Sequence, residues 1–161
     1  MKAIKIASLK IEELPEVLEL LRGLAEFEKL LDQFEVTLES LREQFFCEKP
    51  VAKMLVGRVD DEIKGYAIYF NNFSSFRCKP GMYLEDLYVD PNTRGLGLGK
   101  ALLKEVARIA QAQGCVRYEW VVLDWNTKAQ EFYESLGAKP LNDWIVYRME
   151  EAAISSLAEG K

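Results

Sequence analysis

Ala3-Ile4-Lys5-Ile6-Ala7 alternates apolar and polar positions and predicts a short strand; then Leu14, Val17, Leu18, Leu21, Leu24 and Ala25 recur at helical spacing. Pro15 fits only in the first turn of that helix, which the pattern carries to about Leu30. Thr37 suits the N-cap of a second helix through Leu38, Leu41, Phe45 and Phe46. The β-rich runs Lys53–Val59 and Ile63–Phe70 flank the polar turn Asp60-Asp61-Glu62 and predict a hairpin. Tyr83–Val89 reads as a further strand, entered from a Lys79-Pro80-Gly81 turn and ended by Asp90-Pro91-Asn92. The stripe Leu102, Leu103, Val106, Ala107, Ile109 and Ala110 predicts a helix over Gly99–Gln113, with Gly114 as its terminator. Beyond it come a strand at Arg117–Leu123, a short helix at Thr127–Leu136 ended by Gly137, a last strand at Trp144–Met149 and a frayed helical tail at Glu150–Ala158.

Strand–helix–strand alternation in the second half requires a parallel pair with a crossover, while the early hairpin is antiparallel, so the expected fold is α/β with a mixed sheet. No repeat, low-complexity stretch or linker interrupts the chain, and residues 1–161 are expected to form one domain. Hydrophobic residues make up 49% and charged residues 29%, the balance of an ordinary soluble protein. With no apolar run near the ~20 residues of a membrane span and no signal-peptide layout, a cytoplasmic address is the expectation.

Charge and residue usage narrow the chemistry. A net charge of −5 without a basic block argues against nucleic acid and favours a cationic small molecule. Histidine is absent, which excludes Ser–His–Asp and Cys–His catalysis, HExxH zinc sites and imidazole acid–base work. The cysteines, Cys47, Cys78 and Cys115, are too scattered for a metal or disulfide framework, so no metal is expected.

The most informative segment is Arg94-Gly95-Leu96-Gly97-Leu98-Gly99-Lys100, between a predicted strand and helix. Three glycines let backbone approach a ligand closely, and N–H groups at a helix start suit an anion. The spacing GxGxG fails the dinucleotide fingerprint GxGxxG, and Arg94 and Ala101 stand where a Walker loop needs Gly and Ser/Thr.

Arg94, Gly97 and Gly99 after a strand, followed by Trp125-Asn126 and Phe132-Tyr133-Glu134-Ser135-Leu136-Gly137-Ala138, resemble the GNAT superfamily of N-acetyltransferases. Together with Leu24-Ala25-Glu26-Phe27-Glu28-Lys29 and Tyr83-Leu84-Glu85-Asp86-Leu87-Tyr88-Val89, they are most similar to its spermidine/spermine (diamine) acetyltransferase branch. The resemblance implies a mixed, mostly antiparallel sheet with a parallel acetyl-CoA-binding core, helices on both faces and a homodimer. It implies transfer of an acetyl group from acetyl-CoA to a primary amine of a polyamine, diamine or lysine-like substrate. A protein or peptide N-acetyltransferase and a non-catalytic acyl-CoA sensor are the alternatives.

By the same resemblance, Gly95, Leu96, Gly97, Leu98, Gly99 and Lys100, with Arg94, cradle the pyrophosphate; Leu87, Tyr88 and Val89 pair with the pantetheine arm; Asn126, Ala129 and Tyr133 contact the cofactor. The family's strand bulge is carried over in the same way. Tyr133 is expected to protonate the leaving thiol, and Glu85 to deprotonate the amine through water, with Asp86 making a structural hydrogen bond. Phe27 and Glu28 match the branch's substrate pair, and Glu119 and Trp120 lie on the strand lining the substrate side. A carboxylate beside an aromatic ring suits an alkylammonium.

Overall fold

The computed structural model describes residues 2–160 and divides into two compact units, Met1–Val121 and Val122–Lys161. The first unit holds a five-stranded sheet in the order β1-β2-β3-β4-β5: β1 (Ile4–Ser8), β2 (Lys53–Val59), β3 (Glu62–Ser74), β4 (Lys79–Val89) and β5 (Tyr118–Glu119). The first four pair antiparallel and β5 joins β4 parallel, which is the expected mixed sheet. Alternation along the strands sends Met54, Val56, Tyr66, Ile68 and Tyr88 into one core with Leu14, Val17 and Leu21 of α1 (Leu14–Phe27) and Leu41 of α2 (Leu38–Phe45). The opposite face receives α3 (Leu98–Ala112), whose Leu98 and Leu102 close over Gly57. Buried Glu13 locks the entry to α1 onto β2 through an ion pair with Arg58, and its other oxygen accepts from the Lys10 amide.

Local chemistry sets the boundaries. Pro15 lies in the first turn of α1, where its missing N–H costs nothing. The helix stops at Phe27, short of the expected Leu30, because Lys29 turns left-handed (φ +61°) and the Leu30 N–H donates back to Ala25 O at 2.8 Å. Thr37 caps α2 as expected, its Oγ1 accepting from the Ser40 amide at 3.1 Å while its own N–H donates to Ser40 Oγ at 3.0 Å. Asp60 and Asp61 (φ +51° and +68°) make the two-residue hairpin turn, and Glu62 already pairs in β3.

Three expectations need correction. Lys79-Pro80-Gly81 is not a turn but the start of β4, paired with Asn72–Ser74; the turn falls at residues 75–78. The strand expected at Arg117–Leu123 pairs only over Tyr118–Glu119, with Met82 and Tyr83 of β4; just beyond them the extra residue Glu85 breaks the regular edge of β4. The strand expected at Trp144–Met149 does not form. Strand propensity needs a neighbouring edge, and among the described residues none pairs with it, leaving Trp144, Ile145 and Tyr147 78%, 76% and 89% exposed.

The second unit carries α4 (Thr127–Ser135) and α5 (Glu151–Ala158), close to the helices expected there. Among the described residues no helix is long and apolar enough to cross a membrane.

Candidate active site

The glycine segment links β4 to α3, and Gly97 is the N-cap of that helix. Its φ of +90°, like the +82° of Gly95, is open to glycine at little cost and strained for other residues. A Cβ added at either glycine would meet nothing within 4 Å, so the loop lies open to a ligand. No side chain caps α3, which leaves its first-turn N–H groups aimed at the space before the helix. Arg94 and Lys100 border this cradle and are exposed, whereas Leu98 is buried and anchors the helix start. The donor set therefore fits a pyrophosphate.

Beyond Tyr83, β4 has no partner on the β5 side among the described residues, so the edge of Leu87, Tyr88 and Val89 is available to an extended, peptide-like arm. The bulge carried over from the family lies in this strand. Ile68 of β3 faces Asp86 and Tyr69 faces Leu84, which leaves Glu85 as the extra residue.

The two adjacent carboxylates have unlike surroundings. Glu85 is exposed, whereas Asp86 is half-buried and accepts a 3.4 Å hydrogen bond from the Tyr66 hydroxyl. Burial, reinforced by the negative charges of Glu85 and Glu28, pushes the Asp86 carboxyl up to about 6. Burial also raises Glu28. Asp86, Glu28 and Tyr66 line one cavity of about 270 Å³ with Leu24, Phe34 and Val36. Among the described residues its lining holds two carboxylates and no Lys or Arg. An apolar pocket with two crowded carboxylates has the chemistry to suit an alkylammonium, because a cation relieves both the mutual repulsion and the desolvation.

Other expected site residues fall elsewhere. The Phe27 ring, 36% exposed, lies 5.0 Å from the Arg94 guanidinium carbon and is not part of the cavity wall. Glu119 is engaged by Arg117 Nε and Asn72 Nδ2, each at 2.9 Å, and Trp120 packs edge-on to Tyr118; neither lines the cavity. A carboxylate already neutralised by Arg117 has little attraction left for a substrate. In the second unit, Asn126 caps α4, its Oδ1 accepting from the Ala129 amide at 3.3 Å. Tyr133 packs against Phe132, with ring centroids 5.3 Å apart, and burial pushes its phenol up to about 12. In the sequence Tyr66 reads as one more core aromatic in a β-rich run, and no local pattern marks it as a site residue.

This cradle, open strand edge and acidic cavity occur on a recognised framework. Residues 15–138 match the acetyltransferase (GNAT) family, and the chain belongs to that family. It is an N-acetyltransferase. Among its relatives, the thialysine N-epsilon-acetyltransferase of Bos taurus is 36% identical over 98% of this chain and 99% of that protein. The spermidine/spermine N(1)-acetyltransferase-like protein 1 of Homo sapiens is 32% identical over 89% of this chain, though over only 22% of its own length. Of solved structures, an integron cassette protein from the mobile metagenome of V. cholerae superposes with a TM-score of 0.81 at 26% identity, covering 97% of this chain and 98% of its own.

Proposed function

We propose that the protein transfers the acetyl group of acetyl-CoA to a primary amine of a small alkyl diamine or polyamine. The observation that carries this reading is the apolar cavity holding Glu28 and Asp86 with no cation in its wall among the described residues. The relatives named for thialysine and spermidine/spermine support a small cationic substrate.

Arg94 and the amides of the Gly95–Lys100 segment would hold the pyrophosphate, and the open edge of Leu87–Val89 the pantetheine arm. Asn126 and Ala129 belong to the same assignment. When bound, acetyl-CoA supplies an activated acetyl thioester. A primary alkylamine arrives protonated, since its pKa is ~10.4, and must shed a proton before it can react. We assign proton acceptance to Asp86 rather than Glu85: Asp86 faces the cavity, and with a carboxyl near 6 it is mostly ionised at neutral pH. Glu85 acts by its charge, which raises Asp86. Tyr133, held up at about 12, stays protonated throughout the working pH range and serves as a hydrogen-bond donor to the departing sulfur.

A second reading, an α-amino acid with a side-chain amine, is favoured by one contact. The Arg22 guanidinium carbon stands 5.2 Å from the ring of Phe34, a cavity residue, and could meet a carboxylate at the rim. Matched pairs separate the readings: CoA release is measured with cadaverine against lysine and putrescine against ornithine. The diamine reading expects the decarboxylated member of each pair to win. Preference for the amino acid, lost in Arg22→Ala, would establish the second reading, and turnover only on peptides would overturn both.

The same reading includes one GNAT domain across both units, which the family match over residues 15–138 supports, and a cytoplasmic address, where acetyl-CoA meets free amines. It also includes a homodimer. Trp144–Met149 has strand propensity, exposed apolar side chains and no strand partner among the described residues, and a second copy would supply one.

A further inference from the structure

We infer that Phe27 is a positioning residue for Arg94, and so for the cofactor loop, rather than a contact for the amine. Arg94 leaves the loop to place its guanidinium carbon 5.0 Å from the Phe27 ring centroid and 6.0 Å from that of Tyr88. Its Nε–H donates to Val89 O at 3.3 Å, so the cation is held by two aromatic rings and one carbonyl at the end of β4. Both ring distances lie within the range where the quadrupole of an aromatic face attracts a cation.

The rings are themselves held in place. A Cβ at Gly23 would stand 2.6 Å from the Tyr88 hydroxyl, so α1 packs closely over Tyr88 and a larger residue at Gly23 would displace that ring. One helical turn later, Phe27 ends α1, and the left-handed Lys29 immediately after fixes where the helix stops. Gly23, Tyr88 and Phe27 thus form a rigid wall on which a long, rotamer-rich side chain is ordered before an anion arrives. An arginine free in solvent must lose that freedom on binding, and a preordered one binds more tightly. Glu28, the next residue, lines the amine cavity, whereas Phe27 does not. The two neighbours therefore serve different substrates.

This inference rests on the proposed acetyl-CoA site, and titration of the wild-type protein with acetyl-CoA tests that reading before any variant is made. Phe27→Leu is expected to weaken acetyl-CoA binding about fivefold by calorimetry, while leaving the KM for the amine within twofold. Phe27→Tyr should restore the affinity. In an Arg94→Ala background, Phe27→Leu should have no further effect, because the ring then has no cation to hold. Without cofactor, NMR should show ring-current-shifted Arg94 side-chain resonances in the wild type, and Phe27→Leu should move them toward random-coil positions. Equal acetyl-CoA affinity in Phe27→Leu, a loss just as large in the Arg94→Ala background, or a rise confined to the amine KM would each overturn the assignment. Wild-type protein that binds no acetyl-CoA but shows the shifted Arg94 resonances would defeat the acetyl-CoA reading and the role of Phe27 in it, leaving only a structural contact.

Discussion

The glycine loop and the acidic cavity handle charge in opposite ways. On the proposed reading the loop would bind an anion with backbone: exposed glycines, uncapped N–H groups and an exposed arginine. The cavity would bind a cation with side chains, its strength coming from carboxylates made uncomfortable by burial and, for Asp86, by the other's charge. Both lie against the end of α1, where Phe27 touches the Arg94 of the loop and Glu28 lines the cavity. The difference means that damage to one site should leave affinity at the other nearly intact.

Asp86→Asn should break the comparison most severely. Removing one member of a buried charge pair costs about 2–5 kcal/mol, so kcat/KM for a diamine should fall on the order of 100-fold or more while acetyl-CoA affinity stays within about twofold. The same variant should be more stable. With its carboxyl raised to about 6, the folded chain binds a proton the unfolded chain does not between about pH 4 and 6; the favourable contribution of the neutral form is lost as pH rises through that window. At pH 7 the charged group therefore costs stability, up to about 3 kcal/mol, which the neutral amide removes; thermal melts at pH 7 and pH 4 should show a gain that shrinks at the lower pH.

Tyr133→Phe should lower kcat on the order of 100-fold with acetyl-CoA affinity unchanged, as expected for loss of a proton donor. Equal losses in both would make Tyr133 a packing residue. Gly97→Ala sharpens the other side: left-handed backbone costs an ordinary residue roughly 1–2 kcal/mol, so acetyl-CoA binding should weaken about tenfold with the amine KM unmoved. Glu85→Gln should have the smallest effect, less than about threefold on kcat, with the acid limb of the kcat/KM profile moving to lower pH because a charge that raises Asp86 is gone. A loss as large as that of Asp86→Asn would return the proton-accepting role to Glu85.

The loop was legible in the sequence because its chemistry is local: glycine spacing, flanking cations and a strand-to-helix junction all lie within a few residues. The cavity was not, because it is assembled from Glu28 at the end of α1, Tyr66 on β3 and Asp86 on β4, and no local pattern links them. Strand alternation correctly separated Glu85 from Asp86 but did not say which one turned inward; the bulge and the packing of α1 over β4 decide that. Glu119 and Trp120 look like a cation site in the sequence, and only the structure reveals that Arg117 already occupies the carboxylate. Trp144–Met149 reads as a strand from its residues alone, yet pairing depends on a partner edge that sequence does not display.

Calorimetric titration of the protein with a diamine at pH 6, run in buffers of differing ionisation enthalpy, probes the cavity directly. A cation beside Asp86 lowers its raised pKa, and a carboxyl near 6 is about half protonated at that pH, so binding should release roughly half a proton. Asp86→Asn should remove most of the release, the remainder coming from Glu28, which burial also raises. Proton release that is absent in the wild type, or that persists undiminished in Asp86→Asn, would contradict the assignment of the acidic cavity as the amine site.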